Sequence, residues 1–334
     1  MAVHSEGHKI DVPVLRPLRG DFFCLPFGGN ATAHQGRRHP VHGEPAGAPW
    51  HLDGGDHADG VLTLTLSMKL KTCPGKVTKV LALRDGQNVV YSRHVMEGFG
   101  RCRMPAGHHA CLAMPEQPGT VLLSTSPIQF GMTCPGQFSD PAAAEYQDLA
   151  SAARFTSLAK VPRARTGAPA ADCSVFPQPK GFDDLLAVFN KTAPTPAWCA
   201  AVNTADGYLW FSLKDPDVLP ATALWMSHGG RHGEPWNGRN RCLGVEDCCA
   251  FFAEGLAESV KANVLTRAGI KTALSLSEKK PTAVNYIQGV VKIPGGFGRV
   301  ADVALADGEA AFLDADGRTV TAPVNADFLK TGQA

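Results

Sequence analysis

Four stretches of the chain concentrate side chains able to move protons or grip a polar ligand. The first, PFGGNATAHQGRRHPVHGEPAGAPWHL, carries Asn30, His34, Arg37, Arg38, His39, His42, Glu44 and Trp50. The second, MPAGHHACLAMPE, carries the adjacent His108 and His109. In the third, LWMSHGGRHGEPWNGRNRCLGVEDCCAFF, stand Trp225, His228, His232, Trp236, Arg239, Arg241, Glu246 and Asp247; the fourth, GFDDLLAVFN, holds Asp183 and Asp184. Histidine titrates nearest neutral pH and suits proton transfer, although most loop histidines are simply solvated. Glu246 differs in kind. It stands between the apolar runs Cys242, Leu243, Val245 and Cys248, Cys249, Ala250, Phe251, and so reads as a carboxylate inside a buried strand. Such a group is costly unless it is paired or its pKa rises, and a raised pKa suits a general base working at neutral pH. A structural ion pair is the competing reading; proton transfer is the preferred one.

The elements that must hold these residues alternate rather than cycle. In Val61 to Met68, the residues Leu62, Leu64, Leu66 and Met68 share one face and Thr63, Thr65 and Ser67 the other, the pattern of a half-buried strand. Further strands are expected over Lys76 to Leu83, Val89 to Val95, Thr120 to Thr125 and Trp198 to Val202. Asp-Gly pairs at Asp85-Gly86, Asp206-Gly207 and Asp307-Gly308 separate such runs, and Asp316-Gly317 precedes another. These are hairpin signals, because the turn needs a positive φ that glycine adopts without strain. Neighbouring strands are therefore expected to be antiparallel. Helical periodicity appears over Cys249 to Val264, where Phe252, Leu256 and Val260 recur at fours. Asp183 to Asn190 reads as either a short helix or a strand. Long loop-rich stretches are expected from Phe27 to Asp59 and from Phe130 to Gln178. No alternation of strands with long helices supports an α/β fold. The expectation is one mainly β domain over residues 1–334, its core roughly 11–325: a large antiparallel β-sandwich with one or two short helices.

Composition narrows the partners. Gly (35) and Pro (25) make about 18% of the 334 residues, against an average near 12%, which favours turns over long helices. With 32 basic and 31 acidic residues the net charge is +1, so no broad field draws the chain to nucleic acid or to an anionic membrane. No apolar run reaches the length of a membrane helix, and MAVHSEGHKIDV lacks the basic-then-apolar layout of a secretory leader, so a cytoplasmic protein is expected. The ten cysteines contain no C-x-x-C and are expected to be thiols, with adjacent Cys248 and Cys249 on opposite strand faces. His228 and His232 would share a face of a helix, but Gly229 and Gly230 make a helix there improbable, so no metal site is expected.

In the order of these motifs, roughly from Pro26 to Lys292, the sequence resembles the galactose mutarotase-like superfamily, the aldose 1-epimerases and their relatives. The resemblance is carried by Asn30, then His42-Gly43 before Trp50; by His109 in HHACLAM; by Asp183 in FDDLL; and by LWMS, a Gly-rich loop and the apolar-apolar-Glu segment of CLGVED. It departs from the family pattern in three places. Cys111, Leu112 and Ala113 stand where a Tyr-Phe-Asn-type run is usual, Asp247 stands where Pro often follows the Glu, and Arg37 and Arg38 are not contiguous with Asn30.

What the resemblance implies is a supersandwich whose concave face takes a sugar, and anomer interconversion by ring opening and closure without metal or cofactor. Glu246 is then the base and His109 the acid, with His108 as the alternative. His42 would bond near the ring oxygen; Asp183 (or Asp184), Asn30 and Arg37 or Arg38 would hold sugar hydroxyls. Trp50, Trp225 or Trp236 would form an apolar wall. The expected partner is a small sugar: a hexose, a sugar phosphate or a sugar acid. A non-catalytic carbohydrate- or sugar-acid-binding module on the same scaffold is the alternative function.

Overall fold

The computed structural model describes residues 10–16, 18–191 and 196–334; residues 1–9, read above for a leader, lie outside them. In chain order its strands are β1 (Gly20–Cys24), β2 (His51–Ala58), β3 (Val61–Lys69), β4 (Lys76–Arg84), β5 (Val89–Glu97), β6 (Cys102–Met104), β7 (Ala106–Ala113) and β8 (Val121–Thr125). There follow β9 (Ile128–Thr133), β10 (Arg154–Phe155), β11 (Val175–Phe176), β12 (Phe182–Asn190), β13 (Ala197–Asn203), β14 (Tyr208–Lys214), β15 (Ala221–His228) and β16 (Arg241–Cys249). The last are β17 (Leu274–Leu276), β18 (Thr282–Lys292), β19 (Val300–Ala306), β20 (Glu309–Asp314) and β21 (Thr319–Pro323). The helices α1 (Glu44–Gly47), α2 (Leu256–Ser259), α3 (Val264–Arg267) and α4 (Phe328–Thr331) are four residues each. Strand makes up 47% of the chain and helix 8%, a mainly β fold of antiparallel sheets.

Two sheets dominate. One runs β1-β7-β16-β15-β12-β9-β10 and the other β11-β8-β13-β14-β18-β5-β4-β3-β2. Ala110, Leu186, Leu224, Leu243 and Val245 of the first meet Leu123, Ala201 and Trp210 of the second in the core between them. The far face of the nine-stranded sheet is covered in turn by β19-β20-β21 and α4, with Phe211 against Phe312 at 4.8 Å. Strands β13 and β14 are consequently covered on both sides, and nearly every residue in WCAAVN and YLWFSLK is buried.

The Asp-Gly turns fall where expected, with Gly86, Gly207, Gly308 and Gly317 at φ 76, 71, 78 and 83°. Residues 183–190 are strand, within β12. The helix expected over Cys249 to Val264 is a correction: Cys249 ends β16, a turn follows, and only the four residues of α2 and, at Val264, the first of α3 are helical. Phe252 at φ 49° and Gly255 at φ 88° break the helix. Gly255 also has no room for a side chain, because a Cβ there would stand 2.5 Å from Asn30 Oδ1. The loop stretch from Phe27 to Asp59 contains the edge strand β2, and the one from Phe130 contains the end of β9. All ten cysteines are free thiols; Cys248 and Cys249 face different core clusters, as alternation requires.

Candidate active site

Glu246 lies in the middle of β16 and His109 in the middle of the adjacent β7, both on the face of the seven-stranded sheet turned away from its partner sheet. Their side chains meet, His109 Nε2 standing 3.2 Å from Glu246 Oε1. Gly244 makes room for them: a Cβ there would lie 3.0 Å from Glu246 Oε1 and 3.3 Å from His109 Cε1. Both side chains are only 4% exposed. Burial pushes the Glu246 carboxyl up from 4.5 to about 8. Burial, aided by His42, pulls the His109 imidazole well below its usual value. Around neutral pH the pair therefore favours one shared proton over a charged state on either partner.

Aromatic groups surround the pair. Phe22 stacks on His109 at 4.6 Å, His42 meets it edge-on at 5.0 Å, and Trp225 stands at 6.0 Å. His42 is held at φ 57° by a loop whose Gly28 N–H donates to His42 Nδ1 at 3.4 Å, and burial lowers its pKa to about 4. Trp236 packs against Trp225 at 5.7 Å. Asp183, on β12, is fully buried and accepts from Trp225 Nε1 at 2.9 Å and Ser227 Oγ at 2.6 Å. Burial raises its pKa, with Arg231 opposing the shift.

Arg231, from the Gly-rich loop between β15 and β16, is a further member of this wall. Its Nε lies 3.4 Å from Asp183 and 3.6 Å from Glu145, and its guanidinium stands 5.2 to 5.8 Å from the rings of Phe138, Trp236 and Trp225. The clustering is tertiary, since Phe138 and Glu145 come from a distant loop, and no local spacing announces it.

The structure thus brings together Glu246, His109, His42, Asp183, Trp225 and Trp236, and leaves other expected residues elsewhere. Asn30 spends its amide inside its own loop, donating to Pro26, Gly28 and Pro40 carbonyls and accepting from Leu256 N–H, so it braces the segment that carries His42. Arg37 and Arg38 are exposed, and Arg37 reaches the Thr72 carbonyl at 3.4 Å. Trp50 donates to the Pro45 carbonyl and carries Lys79 over its ring at 4.2 Å, within a different core cluster. Asp184 faces the inter-sheet side, accepting from the backbone N–H groups of Asp148 and Leu149, and its pKa is raised to about 7 by burial.

His108 likewise points between the sheets. Its Nδ1 is 2.8 Å from Asp21 and its ring stacks on Tyr286 at 4.1 Å. Asp247, next to Glu246, faces the same way and pairs with the buried Lys214 at 2.7 Å, with Ser212, Thr222 and Tyr286 also donating to it. These bonds and the Lys214 charge outweigh burial and hold its carboxyl below the usual range. Among the described residues no group of three or more His, Cys, Asp or Glu converges as a metal site, and no helix is long and apolar enough to cross a membrane.

Neither a family model nor a curated protein matches the sequence. Solved structures do match the fold. A galactose mutarotase-like protein from Clostridium acetobutylicum is 10% identical with a TM-score of 0.56, over 86% of this chain and 84% of that one. A candidate aldose 1-epimerase from Escherichia coli K12 is 13% identical with a TM-score of 0.52, over 82% and 84%. A galactose mutarotase related enzyme from Lactobacillus acidophilus is 12% identical with a TM-score of 0.51, over 81% and 83%. The chain has the galactose mutarotase-like fold.

Proposed function

We propose that the protein interconverts the anomers of a sugar, with Glu246 and His109 as its proton-transfer pair. The observation that carries this reading is their 3.2 Å contact on the outer sheet face, in surroundings that oppose a net charge on either one. In the ring-opening step, Glu246 as carboxylate takes the proton of the anomeric hydroxyl while protonated His109 gives one to the ring oxygen. The bond from anomeric carbon to ring oxygen breaks and the carbonyl forms. Rotation about the bond next to the carbonyl carbon exposes its other face. Closure returns each proton to its donor, so the pair ends as it began. Sliding the shared proton along the 3.2 Å contact converts the uncharged pair into the reactive one. A sugar's polar hydroxyls favour that shift by solvating the charges.

Asp183, His42 and Trp236 supply hydroxyl and ring contacts in this reading. Arg231 is already balanced by Asp183 and Glu145, so it offers no unopposed charge to an anion and a neutral sugar fits this wall better than an anionic one. Access requires movement of Phe22, of the His42 loop or of the loop bearing Arg231 and Trp236, because the pair is closed off from solvent. Cys111, whose Sγ lies 3.4 Å from His109 Nδ1 where the family that the sequence resembles carries a bulky aromatic run, favours one second reading, a carbohydrate-binding module that does not turn over.

Proton exchange spectroscopy over a panel of hexoses, hexose phosphates and uronates tests both. Acceleration of anomer exchange that falls at least about a hundredfold in Glu246→Gln supports the enzyme. Saturable binding without acceleration supports the module, and an unchanged rate in Glu246→Gln refutes the assigned base.

A further inference from the structure

A second cleft, of about 1210 Å³, opens between the 34–39 loop, the turn after β3, the segment around β6, helix α2 and residues 275–279. None of the side chains gathered around Glu246 lines it. Its floor is apolar, with Phe99, Met104 and Leu256 buried and Val260 beside them. Its rim is cationic: Arg37, Arg101, Arg103 and Lys279 all line the opening and all are exposed, against the single lining carboxylate of Glu278.

Among the described residues none of these four cations forms an ion pair. Arg37 donates one weak bond to the Thr72 carbonyl at 3.4 Å and Arg103 one to the Val260 carbonyl at 3.2 Å. A guanidinium has five N–H donors, so most of theirs are unspent. Glu44, the nearby carboxylate behind this wall, is occupied by the N–H groups of Lys71 and Thr72 and by the Thr72 hydroxyl. Just below the rim, His39 is only 8% exposed, and its Nδ1 is tied to the same hydroxyl at 3.1 Å.

We infer that this cleft binds a small organic phosphate, its charged end held by Arg37, Arg101 and Arg103 and its uncharged body resting on Phe99, Leu256 and Val260. Guanidinium forks match phosphate oxygens two at a time, and four cations lining one opening against a single carboxylate are relieved by a multiply charged anion. A rim of charge over an apolar floor selects a ligand with both parts, and the volume exceeds the roughly 300 to 1,000 Å³ of common small-molecule sites, so size does not exclude a ring-bearing ester. The assignment is independent of what Glu246 does. It also gives Arg37, expected from sequence at the sugar, a different ligand.

Titration calorimetry with ADP and with inorganic pyrophosphate tests it, on the wild type, Arg101→Glu/Arg103→Glu and Glu246→Gln. Both probes should bind saturably, ADP the more tightly because of the floor, and both should weaken as salt screens the rim. The double reversal should cost at least about thirtyfold in affinity and Glu246→Gln less than about twofold, a loss of two charge-assisted contacts against none. If circular dichroism shows the double variant unfolded, Arg37→Gln serves instead, with an expected loss of at least about fivefold. Absence of saturable binding below millimolar concentration, or undiminished binding after charge reversal, overturns the site. Loss of binding in Glu246→Gln assigns the anion to the other pocket and overturns it equally, while pyrophosphate binding as tightly as ADP overturns the role of the floor.

Discussion

Replacing Glu246 by glutamine should weaken catalysis and strengthen the fold, by an amount that depends on pH. Burial moves the carboxyl from 4.5 to about 8, so between those values the native protein keeps a proton that the unfolded chain has released. Linkage then requires wild-type stability to fall as pH rises through that window and to level off above it. At about 1.4 kcal/mol per pH unit, the ceiling on this loss is roughly 5 kcal/mol. Part of it is recovered if His109, 3.2 Å away, takes up the proton as the carboxylate forms. Glutamine keeps the shape and cannot ionise. Urea unfolding followed by tryptophan fluorescence should give similar stabilities for wild type and Glu246→Gln at pH 5, with the variant ahead by several kcal/mol at pH 8.5. Parallel curves for the two proteins across this range would refute the desolvation argument, and with it the reason for choosing this carboxylate as the base.

Four further outcomes follow from the geometry. His109→Ala should abolish anomer exchange, whereas His108→Ala should leave it within a few fold and cost about 1 to 3 kcal/mol through the loosened Asp21 carboxylate, as read by denaturation; the opposite pattern in an exchange assay overturns the assignment. Gly244→Ala drives a Cβ to 3.0 Å from Glu246 Oε1 and should lower the rate at least about tenfold while costing about 1 to 3 kcal/mol, checked by kinetics and urea unfolding together. Lys214→Met strands Asp247 in the inter-sheet core and should destabilise by about 3 to 5 kcal/mol in denaturant titrations. His228 is buried, and burial pulls its pKa from 6.5 to about 4, so the native state refuses a proton that the unfolded chain accepts. Stability should therefore drop by up to roughly 3 kcal/mol as pH falls through that window, and His228→Leu should flatten that limb of a stability-against-pH curve.

Alternation and Asp-Gly turns write strands into a sequence, which is why Val61 to Met68 was legible as a strand, but its burial was not: Leu62 and Leu64 are exposed while Thr63, Thr65 and Ser67 are half-buried. Strand β2 was not legible, because all eight residues of HLDGGDHA are exposed and no face imposes alternation. The apolar spacing after Cys249 imitates a helix for another reason: Phe252 and Leu256 enter two separate core clusters from turn geometry rather than one stripe. Glu246 was visible as a charge out of place in an apolar run. Its neighbour Asp247 is just as buried, but its partner Lys214 lies on another sheet, and no local pattern joins them. The same limit applies to Arg231 and to Arg37, whose surroundings are assembled from loops far apart in the chain.

Strands β7 and β16 each carry two reactive side chains in succession, one for each face: His108 with His109, and Glu246 with Asp247. Length is therefore the property these strands can least change. Inserting or deleting one residue ahead of either pair would turn the proton-sharing carboxylate or imidazole into the sandwich and expel an ion-pair partner, even though every amino acid remained present. The Gly-rich 229–240 loop carries no such parity, so the walls around the pair are free to grow, shrink and acquire new ligands while the two strands keep count.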